Sequence, residues 1–228
     1  SGFDVLCHGI ESYTALPFTQ REAPSNPALR PAYQGSNPIS DVWALAALEM
    51  VGNSILPAAL DSEDMDARTN MAMAATFAGV GFGNAGVHLP HGMSSPVSGL
   101  VKTYRPEGYP EGKAIVPHGM AVILNAPAVF RYTASSNPER HMRAAQLLGA
   151  DVTGAGPEDA GELIAERLIY ILKQTGVPNG LGGVGYTVDD VPALVEGTLP
   201  QHRETKLAPR PTGALELTQL FTDSMQLW

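Results

Sequence analysis

Asp4-Val5-Leu6-Cys7-His8 is the stretch from which the rest of the chain is read. If residues 2–13 form a helix, Asp4 and His8 stand one turn apart on the same face, where a carboxylate oxygen and an imidazole nitrogen can hold one cation. That spacing fits two readings, a solvated pair and a pair of metal ligands. The other histidines favour the second. His91 in His91-Gly92-Met93 and His118 in Pro117-His118-Gly119 each precede a glycine in an apolar setting, which suggests ligands held where water is excluded. Cys7, between Asp4 and His8, reads as a small buried packing residue rather than a reactive thiol.

Helical periodicity extends outward from this stretch. After a proline-rich connection over residues 17–38, start signals at Asn37, Ser40 and Asp41 introduce a helix with Ile39, Trp43, Ala46 and Met50 as its expected buried face. Ser62, followed by Glu63 and Asp64, is the expected cap of an Ala/Met-rich helix running to about Val80. Further helices are expected over residues 117–130, 138–148 and 157–175. The last of these places Ile164, Leu168, Ile171 and Leu172 on one face before Gly176 and Pro178 stop it. Thr187 with Asp190 caps a short helix through Leu194, and residues 215–225 close the chain. Strand-like alternation and internal repeats are absent, so the expected class is all-α, in one domain over residues 1–228.

Composition narrows the partners. With 228 residues and 44% hydrophobic content, the chain can bury a substantial core. A formal charge of −9 with only 14 Lys and Arg argues against nucleic acid and anionic membrane surfaces. One cysteine excludes an internal disulfide and fits a reducing compartment. No apolar run is expected to cross a bilayer, the best candidate being residues 120–130, interrupted by Asn125 and Pro127, and no secretory signal is visible. A soluble, cytoplasmic protein is expected. Gly81-Phe82-Gly83-Asn84-Ala85-Gly86 has the spacing of a dinucleotide fingerprint but follows a helical segment, so it reads instead as glycines that let helices approach closely beside His91. Residues 180–185 read as a turn.

Asp4-x-x-x-His8, then Gly83-Asn84-Ala85-Gly86 leading to His91-Gly92-Met93, then Pro117-His118-Gly119, resembles the metal-binding signature of the iron-containing (group III) alcohol dehydrogenases. Arg30-Pro31-Ala32-Tyr33-Gln34-Gly35-Ser36-Asn37-Pro38-Ile39-Ser40-Asp41 and Gly197-Thr198-Leu199-Pro200-Gln201 are most similar to its hydroxyacid-oxoacid transhydrogenase branch, and the likeness covers essentially the whole chain. The resemblance implies the helical C-terminal domain of the dehydroquinate synthase-like fold, without the N-terminal α/β domain that binds NAD(P). It implies Asp4, His8, His91 and His118 as ligands of iron(II). This donor set also suits zinc or manganese, and affinity order alone favours zinc. The implied chemistry is hydride transfer between an alcohol or hydroxyacid and nicotinamide, with 4-hydroxybutyrate and 2-oxoglutarate as the transhydrogenase pair. A mitochondrial matrix location follows if the source is eukaryotic.

Two departures stand out. Many family members carry a histidine where this chain has Ser95. The segment between His91 and His118 is longer than in most of them, and its Lys102, Arg105 and Lys113 are candidates for binding a substrate carboxylate, with a solvated loop as the competing reading. His88, three before His91, also has a ligand spacing, whereas His141 and His202 read as surface residues. Two functions stay open: the metal-bearing half of a dehydrogenase, joined to its nucleotide-binding half, and a non-catalytic helical metal-binding or interaction domain. Separated from that other half, the chain is expected to expose the apolar wall of the interdomain cleft and to associate with itself or with the N-terminal part.

Overall fold

The computed structural model describes residues 1–228 and arranges eleven α-helices about the first of them, α1 (Gly2–Thr14). Leu6, Cys7 and Ile10 of α1 have no exposed surface, and α1 packs against α2 (Pro38–Leu60), α3 (Met65–Ala85) and α5 (His118–Ile123). The only extended pairing is one isolated bridge between Pro17 and Ser36. A single continuous apolar core draws side chains from Val5 through Leu227, which agrees with the all-α expectation.

Asn37 starts α2, its Oδ1 accepting the N–H groups of Ile39 and Ser40 at 3.2 and 3.0 Å with Pro38 in the first turn. The face that α2 buries differs from the expected one. Ser40, Ala44, Ala47, Leu48, Val51, Ser54 and Ile55 point inward, whereas Ile39 is 74% exposed and Trp43, Ala46 and Met50 are half-buried. The helix is apolar nearly all round, so periodicity has little contrast with which to select a face. For the same reason α2 overturns the expectation about membranes. Its 23 residues, with a mean hydropathy of 1.4 in the best window, meet the length and composition of a membrane-crossing helix. One face of it packs along α1, α3 and α7 (Pro138–Leu147), and only a third of that window is buried.

Asp64, not Ser62, caps α3 by accepting the Ala67 N–H at 2.8 Å. The helix runs past Val80 through the glycine stretch to Ala85, so no strand leads into those glycines and the dinucleotide geometry is absent. At Gly81 a Cβ would lie 3.3 Å from backbone atoms of Ser40 and Ala44, so this glycine permits the close approach of α2 and α3.

α4 (Leu89–Gly99) was not expected, because two prolines and two glycines give it poor intrinsic propensity. Residues 117–130 form two helices rather than one. α5 ends at Ile123 and α6 (Ala126–Thr133) restarts after Asn125, whose side chain donates to the Ala121 carbonyl at 2.7 Å. α8 (Ala160–Gln174) buries Ile164, Leu168, Ile171 and Leu172 as expected. Thr187 and Asp190 form the expected capping box, and α9 (Val191–Thr198) continues beyond Leu194. α10 (His202–Thr205) and α11 (Ala214–Asp223) complete the chain.

Candidate metal centre

Three helices contribute to one cluster. α1 presents Asp4, His8 and Glu11 along a stripe at helical spacing, α4 brings His91 from its first turn, and α5 begins at His118. The glycines after the two later histidines have steric reasons. A Cβ at Gly119 would meet the Asp4 Cβ at 3.1 Å and the Asp4 nitrogen at 3.2 Å, and one at Gly92 would meet Thr205 at 3.1 Å. Glycine here spares the α5 start a tight contact with Asp4.

The Nε2 atoms of three imidazoles gather around one oxygen. Asp4 Oδ1 lies 3.3 Å from His91 Nε2, 3.4 Å from His118 Nε2 and 3.7 Å from His8 Nε2. Asp4, His91 and His118 form the tightest group, their ligating atoms all within 4.8 Å of one another. His8 lies outside that trio, stacked on Phe82 with centroids 4.0 Å apart and on His91 at 4.6 Å. His118 is the exposed member, at 58%.

Asp4 Oδ1 and His91 Nε2 are buried, yet neither has a hydrogen-bond partner; their 3.3 Å separation lacks hydrogen-bond alignment. Orphaned atoms of this kind cost ~1–3 kcal/mol each unless a partner is supplied. The 3.3–3.7 Å spacing approaches the ~3.0–3.4 Å edges of a polyhedron of oxygen and nitrogen ligands at ~2.1 Å. Asp4, His91 and His118 therefore fit a divalent cation, and His8, 3.7 Å from Asp4, joins them only by a shift toward the trio.

Glu11 was missed by sequence reasoning. It has no exposed surface, its Oε1 is 2.7 Å from His91 Nδ1, and its Oε2 accepts the backbone N–H of His88 at 2.7 Å. The available signal was its position seven residues after Asp4, on the stripe that Asp4 and His8 share. Burial alone raises the pKa of Glu11, but His91 and His88 hold it below the usual carboxylate range. Burial works against protonation of His91, yet Glu11 and Asp4 outweigh it and raise its pKa to about 10. Asp4 is likewise lowered despite burial, through His91 and the other imidazoles. His8 falls to about 4, chiefly by burial and then by repulsion from His91, so its ring is neutral with a lone pair to offer. The pocket selects for positive charge.

The remaining histidines play structural parts. His88 is fully buried, its Nε2 3.1 Å from Thr14 Oγ1 and its ring edge-on to Phe130. Because the Thr14 hydroxyl donates to Ile10 O at 2.8 Å, His88 Nε2 is the donor, which leaves Nδ1 a buried lone pair without a partner. His141 corrects the surface reading: it is fully buried, with Nδ1 donating to Asn137 O at 2.8 Å and Nε2 3.0 Å from Thr133 Oγ1. An amphipathic pattern did not show that the helix turns this polar residue inward. His202 is exposed, as expected. Cys7 is buried, and burial, then Glu11 and Asp4, push its thiol pKa up, so it is inert packing. In the segment between α4 and α5, Lys102 is held by Asp190 at 2.6 Å, whereas Arg105 and Lys113 are exposed and form no ion pair. Ser95 is exposed.

A sequence model described as Fe-containing alcohol dehydrogenase family, C-terminal, matches residues 32–225, and the chain belongs to that family. Within it, the likeness is to the hydroxyacid-oxoacid transhydrogenase branch. The mitochondrial hydroxyacid-oxoacid transhydrogenases of Homo sapiens and Xenopus tropicalis are 54% and 55% identical over 229 residues, spanning 100% of this chain and 49% and 50% of the relatives. The chain thus spans about half the length of the curated relatives it matches. Among solved structures, 1,3-propanediol oxidoreductase superposes with a TM-score of 0.80 at 25% identity, covering 98% of this chain and 50% of that one. The alcohol dehydrogenase from Oenococcus oeni, at 22% identity and a TM-score of 0.79 over 98% of this chain and 50% of its own, shares the fold. Asp4, His8 and Glu11 precede the span that the family model matches.

Proposed function

We propose that the chain is the metal-bearing half of an iron-type hydroxyacid-oxoacid transhydrogenase, joined in the whole protein to an N-terminal domain that binds NAD(P). The observation that carries this reading is the convergence of Asp4, His8, His91 and His118, with two buried polar atoms left without partners. When bound, the metal supplies Lewis-acid activation of an alcohol or carbonyl oxygen, and the nicotinamide supplies hydride exchange. Glu11 orients His91, its carboxylate accepting the Nδ1 proton so that Nε2 faces the centre. Phe82 covers one face of His8 and shields it from water. The exposed side of His118 is where a substrate oxygen approaches. With Lys102 engaged by Asp190, Arg105 and Lys113 are the cations of that loop free to meet a substrate carboxylate.

The test is exchange between 4-hydroxybutyrate and 2-oxoglutarate by metal-loaded full-length protein, with D4N alongside. Exchange that disappears in D4N supports the reading. Absence of exchange in the metal-loaded wild type, or exchange unaffected by D4N, contradicts it. Charge reversal at Arg105 and Lys113 is expected to impair 4-hydroxybutyrate oxidation more than that of a simple alcohol; equal losses refute their role.

A further inference from the structure

The segment between α1 and α2 and the last turn of α3 line an open surface pocket of about 470 Å³ that the metal centre does not use. Arg21 and Arg30 both line it, and neither pairs with a carboxylate. In a chain with 23 acidic and 14 basic side chains, two guanidiniums free of ion pairs, the half-buried Arg21 and the exposed Arg30, line one pocket. Burial lowers the Arg21 pKa, and no acid offsets it, so the neighbouring Glu22 does not satisfy this guanidinium. Asn84 contributes a further donor: its Oδ1 accepts from Asn37 at 2.9 Å, which leaves its amide N–H groups facing no protein acceptor. The exposed Ile39, in the capped first turn of α2, lies on the same wall.

We propose that this pocket is a second ligand site, holding the carboxylate of a small organic acid between Arg21 and Arg30. The guanidinium fork matches a planar carboxylate bidentately. Two arginines and Glu22 leave one net positive charge, which balances a monoanion better than a phosphate dianion. Ile39 offers apolar contact to the carbon chain. The site is distinct from the metal centre. Phe82 stacks on His8, and Asn84, two residues on, points roughly 200° away around α3. An acid seated here is therefore not the molecule at the metal. The proposal rests on the proposed function only in naming an organic acid as occupant.

Butyrate titrated into full-length protein stripped of metal tests it, with butyramide and inorganic phosphate as parallel probes. Saturable butyrate binding, absent for butyramide and weakened about 10-fold or more in R21Q/R30Q, is the expected result. R21Q/R30Q that reloads metal to the wild-type stoichiometry shows that the fold is intact. No saturable butyrate binding, equal affinity in R21Q/R30Q, or binding of phosphate alone overturns the proposal. Failure of the wild type to take up metal would instead count against the metal centre and leave this titration standing.

Discussion

Glu11 carries more of the centre's geometry than any residue outside the four proposed ligands. Its two oxygens tie the His91 ring and the backbone at the start of α4 to α1, both at 2.7 Å. In E11Q one oxygen becomes an NH2 group that cannot accept, so one of the two donors loses its partner. Metal affinity measured against a competing chelator is expected to fall ~10–100-fold, with one site per chain retained; an unchanged affinity would remove Glu11 from the centre. His141 gives a pH dependence away from the metal. Burial lowers its pKa from 6.5 to about 4, so the unfolded chain binds the extra proton between those values. Stability is therefore lost as pH falls through that window, by on the order of 3 kcal/mol at its lower end. In urea unfolding at pH 7.5 and 5, H141Q is expected to lose less stability between the two than the wild type; equal losses would rule out this linkage. The histidines that converge on Asp4 were legible because spacing and following glycines are written in the chain. Glu11 and His141 were not, since a polar residue on a helix looks the same whether it faces water or a buried partner.

At the scale of elements, the helices that sequence reading placed well are those with contrast between faces and clear stops. α8 shows its face plainly and buries it, and truncating Leu168 to Ala is expected to cost ~2–5 kcal/mol in denaturant unfolding. α2 lacks that contrast, and it buries a different face from the one its periodicity predicts. α4 was missed because its prolines and glycines argue against a helix, while its tertiary setting, with Met93 and Val97 in the core, sustains one. The α5 start makes its own prediction. A methyl group at Gly119 must push against Asp4 at 3.1 Å, so G119A is expected to destabilise by ~1–3 kcal/mol and to weaken metal binding as well. Loss of stability with full metal affinity would show that the contact matters to packing alone.

For the whole molecule, the fold and family were within reach of the sequence because the resemblance spans the entire chain, and the structure adds how three distant segments meet. Ile39, Val42, Leu60, Met65, Met73 and Val80 leave large apolar surface exposed on α2 and α3. The isolated chain is expected to associate with itself, detected as concentration-dependent mass in sedimentation equilibrium; a clean monomer at high concentration would argue against it. The most direct measurement is metal content of the full-length protein, loaded anaerobically with iron(II) and compared with D4N and H91A. One ion per chain in the wild type, lost in both variants, is the result expected if Asp4, His8, His91 and His118 share a cation. No bound ion in the wild type, or equal occupancy in the variants, would contradict it.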